Sequence, residues 1–461
     1  VTFVEAPRLT DDIRFAGSRA PGPRGVDVVG ALLALRSDPL RAFAELRARY
    51  GTVVRIPLGL RSFYVVGSAS AARRVLCDNA RGYSKATFSY DLLRRVLGTG
   101  LLTSEGQTWR RQRRLLQPVF QRSRLPAFAE AALAHTDALI ARWRALGDGA
   151  VLDLGREMTA LSLDMLAGSM LGADRPSDTA RVSFHLTNVF TYIRARTARL
   201  VDFPASWPLP HHARFRAELT ALDAIARGIL EARRRTPAGN DLVATLLAAR
   251  DDRGEPLAER ELIDQLKTFL LAGHETTANL LTWTLALLAR HPAALAGIAN
   301  EVASVTNAAP IRAEQLARLA FTRAVIAESM RLYPPLWLVE RRALAADVLD
   351  GFAIEPGATL AVSQYLLHRD ACEFKEPERF LPERFLSAER PSGYLPFGAG
   401  SRTCIGDAFA LTQATGVVAR LAQAASALSL ELVDGKLPEP EAYVTLRPRG
   451  AVRIRLNSDS L

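Results

Sequence analysis

Apolar residues recur at three- and four-residue intervals along most of the chain, the spacing of one helix face, and alternate only in a few short runs. Amphipathic stretches of this kind cover residues 126–146, 154–171 and 213–235, separated by Pro- and Gly-rich breaks such as Phe203 to Pro210. The longest candidate runs from Leu257 to Arg290, after Gly254-Glu255-Pro256 and before Pro292. At about 1.5 Å per residue it spans roughly 50 Å and crosses the molecule. It is apolar on most faces, which predicts burial, while Asp264, Lys267, His274 and Glu275 within it argue against a membrane span. Further helices are predicted at Asp38 to Tyr50, where Asp38 caps, Pro39 takes the first helical position and Gly51 ends the helix, at Phe321 to Leu332, and from Asp407 to about Leu428.

The short β-branched and aromatic runs are fewer. Thr52–Ile56 and Ser62–Val66, around Leu58-Gly59-Leu60, predict a hairpin, and Gly351–Ile354, Thr359–Ser363, Tyr443–Leu446 and Ala451–Leu456 predict small strands. Tyr83 to Thr103, with Gly98 and Gly100 and mixed polarity, reads more as loop than as regular structure. Residues 1–37 read as an irregular Pro/Gly-rich lead-in and residues 38–461 as a single domain, with no repeat of fixed period. The pattern as a whole predicts a mainly α fold with a small β lobe.

Composition narrows the class. The 461 residues are 49% hydrophobic and 23% charged, ordinary values for a soluble globular protein with chain enough to enclose a cofactor. Cys77, Cys372 and Cys404 are few, odd in number and far apart, which argues against a disulfide framework and for a cytoplasmic location. The longest early apolar run, Val28 to Leu35, is too short to span a bilayer, so neither membrane anchor nor signal peptide is expected. A net charge of +11 is compatible with a nucleic-acid partner or with docking of an acidic protein. The arginine clusters at Trp109 to Arg114 and Arg233 to Arg235 lack interleaved aromatics or a nucleic-acid module, so no nucleic acid is expected.

Candidate chemistry gathers at Phe397-Gly398-Ala399-Gly400-Ser401-Arg402-Thr403-Cys404-Ile405-Gly406, just before an Ala-rich helix. A thiolate there is favoured by the first-turn N–H groups, which makes Cys404 a candidate metal ligand. Gly398, Gly400 and Gly406 allow close backbone approach of a flat cofactor, and Arg402 offers a forked donor to an anionic substituent. Ala272-Gly273-His274-Glu275-Thr276-Thr277 places polar and flexible residues in the middle of the longest apolar helix, where each costs stability unless it has a partner or a task. His274-Glu275 opens the zinc-protease pattern His-Glu-x-x-His, but Ala278 stands where the second ligand belongs. Glu328 and Arg331 share a helix face, as do Trp109 and Arg113, which can both donate to a carboxylate.

The ten residues from Phe397 to Gly406 match Phe-x-x-Gly-x-Arg-x-Cys-x-Gly, and the chain resembles the cytochrome P-450 family from about residue 38 onward, of the bacterial soluble type. The resemblance implies a haem-thiolate monooxygenase that inserts one oxygen atom from O2 into a lipophilic small molecule, by hydroxylation or epoxidation, in secondary metabolism. It implies haem b, with Cys404 on the iron and Phe397, Gly398, Arg402 and Gly406 around it. Trp109 and Arg113 would hold a haem propionate, with Arg341 a further candidate from its place after the Pro-Pro turn. Glu275 and Thr276 correspond to the family's acid–alcohol pair, which delivers protons during oxygen activation. Glu328, Arg331 and Arg384 correspond to a structural triad that fixes the cysteine loop. By the same resemblance, substrate-pocket walls come from Tyr83–Thr103, Ser183–Pro210, Phe269 and Ala272, Leu336–Val339 and Tyr443–Thr445. A haem-thiolate isomerase or peroxygenase would not need Glu275-Thr276, and a non-catalytic haem sensor would need an output module. The stretch after Cys404 is too short for a flavin or iron–sulfur domain, so a separate ferredoxin or flavodoxin with an NAD(P)H reductase is expected. Its docking site is expected at Arg110, Arg111 or Arg114, on a monomer.

Overall fold

The structure is a computed structural model that describes residues 17–59, 61–171, 176–197, 207, 209–236, 241–251, 254–424 and 429–457. Its helices are α1 (Val26–Ser37), α2 (Pro39–Tyr50), α3 (Ala69–Arg73), α4 (Phe88–Leu97), α5 (Gly106–Leu116), α6 (Leu125–Leu146), α7 (Leu154–Leu166), α8 (Pro176–Thr197) and α9 (Pro210–Arg235). They continue with α10 (Leu242–Ala248), α11 (Glu259–Arg290), α12 (Pro292–Thr306), α13 (Ala320–Leu332), α14 (Gln364–Leu367) and α15 (Asp407–Ala424). Among the described residues no helix is long and apolar enough to cross a membrane.

The predicted α2 is present, with the Asp38 carboxylate accepting from the Arg41 N–H at 3.1 Å and Gly51 at its end. Two stretches differ from expectation. The lead-in is not irregular throughout: α1 occupies Val26–Ser37, and Val28, Ala31, Leu32 and Leu35 lay its inner side on the cluster of Leu40, Phe43, Val54 and Trp337. That run is too short for a bilayer but long enough for three turns against a core. Likewise, Tyr83–Thr103 contains α4. Thr87 caps it, Tyr90, Leu92, Val96 and Leu97 bury one face, and Gly98 at φ +61° closes it, so the glycine that suggested a loop marks a helix end.

The strands are β1 (Ser18–Arg19), β2 (Val53–Leu58), β3 (Arg61–Val66), β4 (Tyr83–Ser84), β5 (Val151–Asp153), β6 (Val339–Ala343), β7 (Asp347–Leu349), β8 (Phe352–Ile354) and β9 (Thr359–Val362). The last are β10 (Ser429–Leu432), β11 (Pro440–Ala442), β12 (Leu446–Pro448) and β13 (Arg453–Asn457), so Tyr443 to Thr445 is a turn between strands rather than part of one. A five-stranded sheet runs β2-β3-β9-β6-β4, and the expected hairpin pairs Val53 with Val66. β1 pairs in parallel with β8, which ties the start of the described chain into the β lobe.

α11 is the axis of the helical lobe. α7 packs along it, α13 and α15 close it from other sides, and the core of Leu281, Leu285, Met158 and Val417 lies between them. A second core, of Leu97, Leu166, Phe190, Leu266 and Phe269, sits on the side of α11 facing α4 and α8. The Phe203–Pro210 break and the matching part of the expected Ser183–Pro210 wall, at 198–206 and 208, lie outside the described residues.

Candidate active site

Every residue of α11 from Leu262 to Leu288 is buried except Ala272, Gly273, Glu275 and Thr276. These four are half-buried, a notch in a helix that is otherwise enclosed. A Cβ on Gly273 would stand 2.9 Å from Leu166 Cδ1, so α7 presses on the helix there. The Thr276 hydroxyl donates to the Ala272 carbonyl at 2.8 Å, the back-bond expected of a helical threonine. Glu275 Oε1 accepts from the Thr445 hydroxyl at 2.8 Å, while Oε2 is buried without a hydrogen-bond partner. Burial pushes the carboxyl up to about 7, against the opposing effects of the Thr445 bond and the Arg447 charge. His274 turns away, its ring nitrogen 2.5 Å from the Leu270 carbonyl oxygen, and burial pushes its pKa down to about 4.

The Cys404 loop is a set of interlocked turns before α15. The Cys404 N–H donates to the Phe397 carbonyl at 3.0 Å, the Gly398 N–H to Leu395 at 3.0 Å, and Arg113 Nη1 to the Thr403 carbonyl at 2.9 Å. Gly400 sits at φ +68°, and a Cβ there would lie 2.1 Å from the Leu76 carbonyl oxygen, so the loop presses on the backbone beyond α3. Cys404 is exposed, with the Gly406 N–H and Arg113 close to its sulfur. Burial pushes its thiol up, outweighing the Gly406 N–H and Arg113 that favour the thiolate. A bound metal ion would favour the thiolate further than the Gly406 N–H and Arg113 do.

Beside the loop stand three basic side chains. Arg402 stacks on Trp109, its guanidinium carbon 3.9 Å from the ring centre, and donates to the Ser104 carbonyl at 2.9 Å. Burial, and then the Arg341 charge, push its pKa down to about 10. Arg341, buried on β6, donates to the Glu340 carbonyl at 2.8 Å. Lys85 is also buried: its Nζ donates to the Leu102 carbonyl at 2.8 Å, and burial, Arg341 and Arg402 in turn push it far down. Among the groups that act on Lys85, only Glu105 is acidic. Sequence reasoning missed Lys85, which has no motif around it.

The remaining expected group is assembled as well. Glu328 and Arg331 are fully buried and joined by two bonds of 2.7 and 2.8 Å, and Arg384 Nε reaches Glu328 at 3.2 Å. Arg331 also donates to the carbonyls of His368, Pro377 and Arg379. Of the arginines on α5, Arg111 is held to Glu261 by bonds of 2.7 and 2.8 Å, so the structure removes it from the expected exposed cluster; Arg110 and Arg114 are exposed.

A family model described as cytochrome P450 matches residues 20–452. The chain belongs to the cytochrome P450 family. Cyclooctatin synthase of Streptomyces melanosporofaciens is 35% identical to this P450 over 409 residues, which cover 87% of the chain and 88% of the relative. Pentalenene oxygenase of Streptomyces avermitilis is 34% identical over 409 residues, with 87% and 89% covered. Cyclooctat-9-en-7-ol 5-monooxygenase of Streptomyces melanosporofaciens is 34% identical over 408 residues, with 87% of each covered. This P450 is thus an oxidoreductase of the monooxygenase type that oxygenates lipophilic small molecules with O2 and redox partners, and its cofactor is haem.

The residues fit that cofactor. An accessible cysteine stands within the protein, and Gly400 lets its loop approach the backbone more closely than any side chain would allow. Buried Lys85 and Arg341 and half-buried Arg402 stand together, where burial and then the two arginines push the Lys85 proton affinity down, and an anionic group such as a propionate of haem b would relieve that crowding.

Proposed function

We propose that Cys404 ligates the haem iron, that Lys85, Arg341 and Arg402, with Trp109 and Arg113, hold the propionates, and that Glu275 and Thr276 manage protons in the notch of α11. Phe397, Gly398 and Gly406 shape the cysteine loop, and the triad of Glu328, Arg331 and Arg384 fixes the segment leading to it. Haem, when bound, supplies oxygen activation and one-electron chemistry. The protein contributes the rest. Glu275 titrates near neutral pH, so it can release and regain a proton there, and its unpartnered Oε2 is the atom available for that exchange. Thr276, one residue on, offers a hydroxyl whose acceptor lone pairs are left available by its back-bond to Ala272. The single observation that carries this reading is the break in burial along α11 at Ala272, Gly273, Glu275 and Thr276.

The substrate is read as a terpenoid. The names of the bacterial relatives, cyclooctatin synthase and pentalenene oxygenase, support this class, as do the apolar residues that α4 and α11 bring together, Leu97 and Phe269 among them. Electrons are read as coming from a separate acidic ferredoxin or flavodoxin that docks at Arg110 and Arg114. The chain is further read as a monomeric, cytoplasmic single domain; its three free cysteines are consistent with a reducing compartment.

The test is spectroscopic. Reduced, carbon monoxide-treated protein is expected to display the red-shifted Soret band of thiolate ligation, and Cys404→Ser is expected to lose both that band and turnover. Wild-type turnover in that variant would remove Cys404 from the iron. Cyclic terpenes are expected to shift the ferric spectrum where fatty acids do not; the reverse would overturn the substrate class.

A further inference from the structure

Two residues outside the expected acid–alcohol pair are hydrogen-bonded in series to Glu275. We propose that Thr445, itself locked by Asn279, is a positioning residue that takes one carboxyl oxygen of Glu275 and thereby turns the other into the notch of α11. This rests on the reading of Glu275 as the proton-handling acid.

The hydrogen-bond polarity follows from elementary bookkeeping. A carboxylate only accepts, so the single hydroxyl hydrogen of Thr445 goes to Glu275 Oε1, 2.8 Å away. The Thr445 oxygen is then left to accept, and Asn279 Nδ2 donates to it at 3.0 Å. Asn279 lies four residues after Glu275 on α11, one turn along the same face, and both Asn279 and Thr445 are buried. Because both donors are buried, the chain Asn279 to Thr445 to Glu275 has one direction and fixes the carboxyl plane.

Thr445 is held from outside this chain too. It belongs to the turn between β11 and β12, where the Tyr443 N–H donates to the Thr445 carbonyl at 2.9 Å and Trp337 Nε1 to the Tyr443 carbonyl at 2.9 Å. The Tyr443 hydroxyl accepts from Arg194 of α8, which also pairs with Glu441 at 2.9 Å. The Tyr443 ring lies between the guanidinium carbons of Arg194 and Arg447, at 4.2 and 3.4 Å from its centre. The turn thus reaches from α8 to the acid on α11. Among the described residues, Arg447 on β12 acts on Glu275 and favours the carboxylate; Glu441 on β11 stands behind it, 3.6 Å from Arg447 and paired with Arg194 on α8. His274, on the same helix, is neutral, and α7 presents Ser162 and Leu166 to that turn of α11.

The haem-loaded protein tests the inference by infrared difference spectroscopy, with Glu275→Gln as the reference that removes the carboxyl band. Thr445→Val, close in shape but without the hydroxyl, removes a donor to the ionised form. It is expected to raise the Glu275 titration midpoint by about one pH unit, a tenfold change in proton affinity. It is also expected to move the carbonyl band of the protonated acid to higher frequency and to lower product formed per NAD(P)H. Thr445→Ser is expected to restore all three properties. Asn279→Ala, which frees the hydroxyl to rotate, is expected to shift the midpoint in the same direction by less, and it serves if Thr445→Val does not fold. A wild-type midpoint and band in both Thr445→Val and Asn279→Ala, or a serine that does not restore them, overturns the positioning role. Wild-type product per NAD(P)H in Glu275→Gln would instead overturn the acid reading on which the inference stands.

Discussion

Arg331→Ala tests how much of the fold hangs on the ion triad beneath the cysteine loop. In the intact protein Arg331 gives two bonds to Glu328 and three to the carbonyls of His368, Pro377 and Arg379, and both side chains are wholly excluded from water. Removing the arginine leaves Glu328 with the Leu381 N–H at 2.8 Å and Arg384 at 3.2 Å. Breaking a buried pair on one side costs about 3–5 kcal/mol. Each abandoned carbonyl adds about 1 kcal/mol or more. Against a total stability of about 5–15 kcal/mol, that is a third or more of what holds the protein folded. Arg331→Lys keeps the charge but not the fork and is expected to lose less than Arg331→Ala. The double variant Glu328→Met/Arg331→Met is expected to remain destabilised, whereas many buried pairs can be replaced at little cost, because the three carbonyls stay without donors. The assay is urea unfolding of the haem-loaded protein followed by far-UV circular dichroism, repeated in high salt, where the losses are expected to persist because the pair is buried. An Arg331→Ala variant within about 1 kcal/mol of wild type, the range of a surface pair, would refute the reasoning.

Gly400→Ala puts a Cβ 2.1 Å from the Leu76 carbonyl at a φ of +68°, so a strain of about 1–2 kcal/mol adds to a clash with backbone; the thiolate-type carbon monoxide spectrum is expected to weaken, and an unchanged spectrum counts against the close approach. Thr276→Ala is expected to keep haem and substrate affinity while diverting reducing equivalents to peroxide, and unchanged product per NAD(P)H would rule out its part in proton delivery. Glutamate at Arg110 and Arg114 is expected to slow the first electron transfer at low ionic strength without changing the substrate-induced spectral shift; rates insensitive to both the substitutions and salt would move the docking site elsewhere.

The long central helix was legible because its signals are local: apolar spacing, Pro292 after its end, and polar residues at 274 to 277 that an enclosed helix would otherwise exclude. The cysteine loop was legible for a similar reason, since five positions at fixed spacing lie within ten residues. α1 was not, because apolar residues lie all round it and only the β lobe makes one side an inside; α4 has a clear apolar face, but Gly98 and Gly100 in the same stretch read as loop before they could be read as the end of a helix. The same limit applied to charge. Composition marked Arg110, Arg111 and Arg114 as equivalents, and only the packing of α5 against α11 gave Arg111 to Glu261.

Nor did the sequence distinguish Lys85 from any other lysine. β4 and β6 pair Ser84 with Arg342, so Lys85, the residue just after β4, comes to Arg341, and the cysteine loop carries Arg402 to the same place. Glu275 and Thr445 stand 170 residues apart and meet because the β11–β12 turn folds onto α11. Periodicity, caps and motif spacing are properties of neighbours in the chain and determined the helices and the ligand loop. The cation cluster and the partner of the acid depend on strand register and on which helix faces which, and those were decided only when the separate cores packed together.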